Sequence, residues 1–356
     1  MFYMRTAHAS SHQVWNALDD IKHAWPDYRP TPLIEAPLLA RKARVARLWI
    51  KAEAHRPLGN FKALGGMLAG LRAIARAIGA TSLSELLARP ANLAQMPRLI
   101  CASEGNHGLA VATAANSVGA DSTIFLSASV SPGRIERIKA AGGAVHLVAG
   151  TFDDAVNEAI ASAGRNEGLL ISDTTENYSD PVVEDVMNGY AVIAQEVAEQ
   201  LRQTASHSLS HAFTQAGVGG LAAALTLGLQ RLIPYPHMMI VVEPEGADCV
   251  AQGMNAGRPV QISGDLLSSA RMLSCGIASA PALEILLRHN AKSVIVDEAE
   301  LSMAISTLQQ ATGLQTTASG AAGLAGLLHV ARSEKLRAQY NLDQRSSILL
   351  CVTEGQ

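Results

Sequence analysis

Short runs of aliphatic and β-branched residues alternate along this chain with longer stretches whose apolar positions recur three and four apart. The short runs predict strands near 47–52, 98–102, 122–126, 144–148, 169–172, 211–215, 238–242, 293–296 and 348–352. The longer stretches predict helices near 65–78, 108–117, 132–141, 151–163, 182–202, 220–231, 301–312 and 320–331. Strands that alternate with helices of ten or more residues belong to parallel, doubly wound sheets. Val14, Trp15, Leu18 and Ile21 add a covering helix within 11–25, and the prolines of 29–33 predict an extended lead-in. Residues 80–98, with a capped helix start and two bracketing prolines, read as an elaboration. The regular texture of 95–177 marks a compact smaller domain, which leaves 1–94 and 178–356 for a larger one.

Composition supports this picture and excludes several partners. With 356 residues, 48% hydrophobic and 17% charged, the chain has ample core and no sign of disorder. A formal net charge of −3 without a basic run argues against nucleic acid or an anionic membrane as partner. Neither a leader pattern in the first twelve residues nor an 18-residue apolar run is present, so a soluble, cytoplasmic protein is expected. Cys101, Cys249, Cys275 and Cys351 lack metal-ligand spacing and are expected as buried, reduced thiols, with no metal site.

Three segments carry candidate chemistry. Gly59-Asn60-Phe61-Lys62-Ala63-Leu64-Gly65-Gly66 hands a strand over to a helix. A lysine shielded there by Phe61 and Leu64 would be desolvated, with a lowered pKa and a nucleophilic amine. On position alone a solvated surface lysine is the plainer reading. Ala216-Gly217-Val218-Gly219-Gly220-Leu221 sits at another strand-to-helix handover, where converging N–H groups and a helix N-terminus make a phosphate cradle; a tight turn is the alternative. It lacks the spacing of a dinucleotide fingerprint and the Walker lysine. Ser103-Glu104-Gly105-Asn106-His107-Gly108 could hold a ring hydroxyl or a carboxylate, or Asn106 and His107 could be simple N-caps.

Taken together, in this order and spacing, these segments resemble the pyridoxal-phosphate enzymes of the tryptophan synthase β-subunit fold (fold type II). The resemblance runs from Arg29-Pro-Thr-Pro-Leu33 to Thr353-Glu-Gly355. Within that superfamily the chain is most similar to diaminopropionate ammonia-lyases, on Asn60-Phe-Lys-Ala-Leu-Gly-Gly66, Glu104-Gly-Asn-His-Gly108, Asp173-Thr174 with Tyr178, Met187-Asn-Gly-Tyr190, Gln215-Ala-Gly-Val-Gly219 and Val242-Glu-Pro-Glu-Gly-Ala-Asp-Cys249. The resemblance implies two doubly wound open sheets with pyridoxal 5'-phosphate in the cleft between domains.

It further implies that Lys62 forms the Schiff base, that Gly217, Val218, Gly219, Gly220 and Leu221 grip the phosphate, that Asn106 holds the ring hydroxyl and that Thr353 faces the pyridine nitrogen. A neutral hydroxyl there makes the cofactor a milder electron sink, suited to β-elimination. The implied reaction removes the α-proton through the freed Lys62 amine, expels a β-substituent and yields a 2-oxo acid and ammonia. Ser103, Gly105 and His107 would bind the substrate carboxylate, and Asp173 and Tyr178 a second substrate amine. A homodimer is implied as well. Serine, threonine or hydroxyaspartate dehydratases and racemases share the fold and remain alternatives, as does a non-catalytic small-ligand-binding protein.

Three features depart from the ammonia-lyase pattern. Glu104 stands where Asp is usual, which keeps an acid–base group opposite Lys62 at altered reach. Arg56-Pro-Leu-Gly59 is a different, shorter approach to the lysine, and the chain ends at Gln356 without the extra C-terminal residues expected of that family.

Overall fold

The computed structural model describes residues 15–89, 96–103, 105–204, 208–234 and 238–355. Glu104, a candidate catalytic residue, lies outside the described residues, as does Val14. The strands are β1 (Leu33–Glu35), β2 (Arg47–Ala52), β3 (Leu99–Ala102), β4 (Ser122–Ser127), β5 (Ala144–Val148), β6 (Leu169–Leu170), β7 (His211–Gln215), β8 (Met238–Pro244), β9 (Lys292–Val296) and β10 (Ser347–Val352). They form a six-stranded sheet in the order β1-β2-β10-β7-β8-β9 and a four-stranded sheet in the order β5-β4-β3-β6.

Every strand pair is parallel except β1 with β2. The sequence reading is confirmed for two open α/β sheets, and β1 is the addition. Its three residues are too few to show a period of two, and they pair antiparallel as Leu33 with Lys51, Ile34 with Ile50 and Glu35 with Trp49. Pro37–Ala43, for which the sequence reading predicts no element, is a helix with proline in its first turn and Arg44 in the left-handed conformation after its end.

The six-stranded sheet separates two cores, because successive side chains of a strand point to opposite faces. On β8, Met239 and Val241 join the core that holds Leu64, Leu68 and Leu71, while Met238, Ile240 and Val242 join the core that holds Leu301, Leu324 and Leu327. β10 divides in the same way, with Leu349 on the first face and Ile348, Leu350 and Val352 on the second.

Two features fix the position of Lys62. The first is the crossing of the helices Lys62–Ala77 and Pro181–Arg202 at Gly65 and Gly189. A Cβ on Gly189 would lie 2.7 Å from the Gly65 Cα, and one on Gly65 would lie 2.4 Å from the Tyr190 ring. Only glycine at both positions permits this approach, one turn from Lys62.

The second is a buried ion cluster beneath the segment that leads to the lysine. The Lys51 ammonium lies 2.5 Å from Glu196, and the Arg56 guanidinium lies 2.7 Å from Glu53 and 2.8 Å from Glu196. Thr31 donates its hydroxyl to Glu53 at 2.5 Å, and Tyr28 donates to Glu196. Two carboxylates facing two cations with further hydrogen bonds are the condition under which buried charge is tolerated. The unusual approach Arg56-Pro-Leu-Gly59 is therefore an anchored turn. Leu58 and Gly59 both take positive φ (67° and 75°), and the Leu58 carbonyl accepts from Asn60 Nδ2 and Arg137 Nη2.

Among the described residues no helix is long and apolar enough to cross a membrane, and no group of three or more His, Cys, Asp or Glu side chains is arranged to hold a metal ion.

Candidate active site

The carboxyl ends of β2, β3, β7 and β10 face one cavity between the two sheets, the usual location for ligands in open α/β folds. Phe61 and Lys62 come from the turn after β2; Ser103, Gly105, Asn106 and His107 follow β3; residues 216–221 follow β7; and Thr353 and Glu354 follow β10. Main-chain bonds tie two of these ends together. The Phe61 N–H donates to the Thr353 carbonyl at 3.0 Å, the Gly355 N–H donates to Gly59 at 3.0 Å, and Asn60 forms an antiparallel bridge with Glu354.

Lys62 opens the helix Lys62–Ala77, and its Nζ lies 2.6 Å from Asp173 Oδ2, on the loop after β6. Desolvation was expected to lower the lysine pKa. Burial does push in that direction, but the adjacent Asp173 carboxylate, with Tyr190 and Cys275 behind it, outweighs burial and holds the Lys62 ammonium above the ordinary lysine range. Burial likewise pushes the Asp173 carboxyl upward, and Lys62 brings it well below the ordinary carboxylate range. Each partner thus favours the charged form of the other.

Residues 217–221 form the start of the helix Gly220–Gly228, which has no side-chain cap. The first N–H groups of a helix have no partner inside it, so they face the cavity as free donors beside the positive end of the dipole. Glycine is required twice in this turn. Gly219 has φ +95°, and a Cβ on Gly217 would lie 2.9 Å from Cys275 Sγ and 3.1 Å from the Met272 carbonyl.

The loop after β3 is built differently from a simple N-cap. Ser103 Oγ accepts from the N–H groups of Gly105 and Gly108, both at 2.9 Å, so it holds the loop while Asn106 stays free of capping. Asn106 instead donates its side-chain N–H to Glu354 at 2.5 Å. His107 Nε2 is bonded to the Ile171 carbonyl at 3.0 Å, and burial lowers its pKa, leaving a neutral ring that ties β6 to this helix. Opposite, Thr353 Oγ1 lies 3.0 Å from Gln215 Nε2, which also faces the carbonyls of Ser319, Gly320 and Cys351. An amide nitrogen can only donate there, so the Thr353 hydroxyl keeps its own proton for the cavity.

The structure thus gathers Lys62, Ser103, Gly105, Asn106, His107, Asp173, Gly217, Val218, Gly219, Gly220, Leu221 and Thr353 around one cavity. It does not bring Tyr178 there: that side chain is 48% exposed, outside the lining. Among the described residues the tyrosine that lines the cavity is Tyr190, 3% exposed, its ring 4.8 Å from Phe61 and its hydroxyl without a partner. Burial keeps that phenol protonated. Glu354, Gln215 and Arg271 also line the cavity and were not singled out as site residues in the sequence. All four cysteines are free thiols, and Cys275 is the one on the cavity wall.

A family model described as pyridoxal-phosphate dependent enzyme matches residues 24–354. The diaminopropionate ammonia-lyase of Salmonella typhimurium is 30% identical over 352 residues, covering 93% of this chain and 86% of that protein. A biosynthetic L-threonine dehydratase of Lactococcus lactis is 28% identical over 304 residues, 83% of this chain and 65% of its own. The holo diaminopropionate ammonia lyase from Escherichia coli superposes with a TM-score of 0.84 at 26% identity, covering 96% of this chain and 88% of that one.

Proposed function

Given that the chain belongs to the pyridoxal-phosphate dependent enzymes, we propose that it is an ammonia-lyase that eliminates the β-amine of 2,3-diaminopropionate, with Lys62 as its cofactor lysine. The observation that carries the proposal is the ionised Lys62–Asp173 pair, 2.6 Å apart and opposite a free helix N-terminus. The donor set fits pyridoxal 5'-phosphate. Lys62 offers the amine, the glycine turn at 217–221 the phosphate donors, and Thr353 and Asn106 the contacts to the ring. When bound, the cofactor supplies an electron sink for negative charge at the substrate α-carbon.

The protein's own groups do the rest. Lys62 must give up a proton before its amine can attach to a carbonyl, and Asp173 is the adjacent acceptor. Once substrate has displaced it, the Lys62 amine is the base for the α-proton. Asp173 then faces a cationic group other than the lysine, which suits the second amine of a diamino acid. Ser103 Oγ accepts from Gly105 and Gly108 and keeps its own proton, so its hydroxyl and the N–H groups of Asn106 and His107 are the donors offered to the substrate carboxylate. The Thr353 hydroxyl, with its proton directed into the cavity, donates to a ring nitrogen and leaves it unprotonated, which favours elimination over transamination. Loss of both amines with consumption of one water gives pyruvate and ammonia.

The placement of every strand of the four-stranded sheet between Leu99 and Leu170 supports 95–177 as the smaller of two domains. Assembly as a homodimer and a cytoplasmic location are part of the same reading.

The test is to treat purified protein with pyridoxal phosphate and borohydride, map the adduct, and assay 2-oxo acid and ammonia from both enantiomers of diaminopropionate, serine, threonine and 3-hydroxyaspartate. An adduct on Lys62, absent in Lys62→Ala, with turnover greatest on diaminopropionate, is the expected result. Turnover greatest on a β-hydroxy amino acid overturns the substrate in favour of a dehydratase, and absence of the Lys62 adduct overturns the whole proposal.

A further inference from the structure

Glu354 is a buried carboxylate. It is 8% exposed, and among the described residues no lysine, arginine or histidine pairs with it. Its charge is met by hydrogen-bond donors instead. Oε2 accepts from Asn106 Nδ2 at 2.5 Å, and Oε1 accepts from Thr317 Oγ1 at 2.5 Å. Thr317 is the N-cap of the helix Ala318–Ala331, and Asn106 is the first residue of the helix Asn106–Ser117, so the carboxylate lies by two positive helix ends. The Glu354 backbone is fixed as well: its carbonyl accepts from Thr316 Oγ1 at 2.5 Å, and its main chain bridges to Asn60 beside the lysine turn.

Resting on the cofactor site described above, we propose that Glu354 is a positioning residue for that site, acting through Asn106. A carboxylate can only accept, so it forces the Asn106 amide to turn its nitrogen toward Glu354, and the rotation of the amide is thereby set. What remains of the amide, one N–H and the carbonyl, is presented to the cavity in a single orientation. Asn106 stands on the helix that follows β3 of the four-stranded sheet, and Glu354 follows β10 of the six-stranded sheet. The pair therefore also fixes the ring contact from one sheet relative to Lys62 on the other.

The test measures cofactor uptake rather than turnover. Full-length protein is stripped of cofactor and titrated with pyridoxal phosphate, following tryptophan fluorescence and the borohydride-trapped Lys62 adduct, for wild type, Glu354→Ala, Asn106→Ala and the double variant. Losing a hydrogen bond to a charged group weakens binding about tenfold or more. Glu354→Ala and Asn106→Ala are each expected to show that loss, with the double variant no weaker than Asn106→Ala alone, since both changes remove the same contact. Glu354→Gln, which can still accept from Asn106, is expected to restore most of the affinity. Where Glu354→Ala does not fold, Glu354→Asp replaces it in the cycle, keeping the charge but withdrawing it by one methylene. Wild-type affinity in the broken-contact variant, or losses that multiply in the double variant, overturns the proposal while leaving the cofactor site intact. Failure of wild type to form a Lys62 adduct overturns the site itself and this inference with it.

Discussion

The Nζ of Lys62 and the Oδ2 of Asp173, residues 111 positions apart, stand 2.6 Å from one another across the cleft between the two sheets. The pairing makes attachment of the cofactor a proton-transfer problem. With Asp173 present the Lys62 ammonium is held above the ordinary lysine range, so uptake of pyridoxal phosphate by stripped protein is expected to slow as pH falls. In Asp173→Asn the carboxylate no longer opposes burial, which favours the neutral amine, and only the raising influence of Tyr190 and Cys275 is left against it, so the pH profile of uptake moves toward acid. Turnover of diaminopropionate in the same variant is expected to fall about 10²-fold or more, for want of the carboxylate. Stopped-flow uptake across a pH series together with steady-state assays checks both halves.

Glu196 touches no part of the cavity, yet it is the anion that Lys51 and Arg56 share. Its removal leaves two buried cations facing Glu53 alone. Glu196→Ala is expected to lower unfolding stability by about 3–5 kcal/mol, as breaking a buried ion pair does. Chemical denaturation of the cofactor-free protein measures it, and a loss below about 1 kcal/mol is the result that contradicts the assignment.

The glycine turn invites a test that separates phosphate from ring. At Gly219, φ +95° strains any residue with a side chain. Gly219→Ala is expected to weaken binding of pyridoxal phosphate about tenfold, a cost of roughly 1–2 kcal/mol of backbone strain at the cradle. Pyridoxal, which has no phosphate for the turn to hold, should lose much less. Equal losses for both ligands would place the phosphate elsewhere.

Glu243 offers a pH-dependent term in stability remote from the lysine. It is fully buried on β8, and its carboxyl oxygens accept from the N–H groups of Val250 and Ala251, both at 2.8 Å. Burial outweighs these bonds and pushes its pKa from 4.5 up to about 8. A folded-state pKa above the unfolded one means that folding takes up a proton. The contribution is complete below the unfolded pKa of 4.5 and is lost as pH rises through about 8. Melting temperatures compared at roughly pH 5.5 and pH 8.5 should therefore fall with pH in wild type and fall less in Glu243→Gln, which is neutral throughout.

The features legible in the sequence were those written in local pattern. The buried parallel strands at 47–52, 211–215 and 348–352 are aliphatic runs bounded by turn residues, and each lies where its run predicts. The Lys62 turn and the glycine turn share one cavity because both end parallel strands of a single sheet. Elements of few residues escaped, such as β1 and the helices Cys249–Ala256 and Ala280–Arg288, whose lengths barely exceed two turns. The direction of the Lys62 pKa is not legible in the sequence, because its cause is a contact 111 residues away. Glu354 is hidden for the same reason: an acidic residue after the last strand reads as solvated until its partner, 248 residues earlier, is beside it. Tyr178 precedes the helix Pro181–Arg202 and Tyr190 lies within it, and only packing tells which of the two faces the cavity.

At the crossing of Gly65 and Gly189, main chain rests on main chain. Side-chain contacts have rotamers, and rotamers give the elements they separate some play; this contact has none. The lysine is therefore registered against a fixed datum, and wear elsewhere in the core is decoupled from it. Drift at Met67 or Ile74, further along the same helix, can erode how long the protein stays folded without misaligning the amine by the fraction of an ångström that catalysis feels.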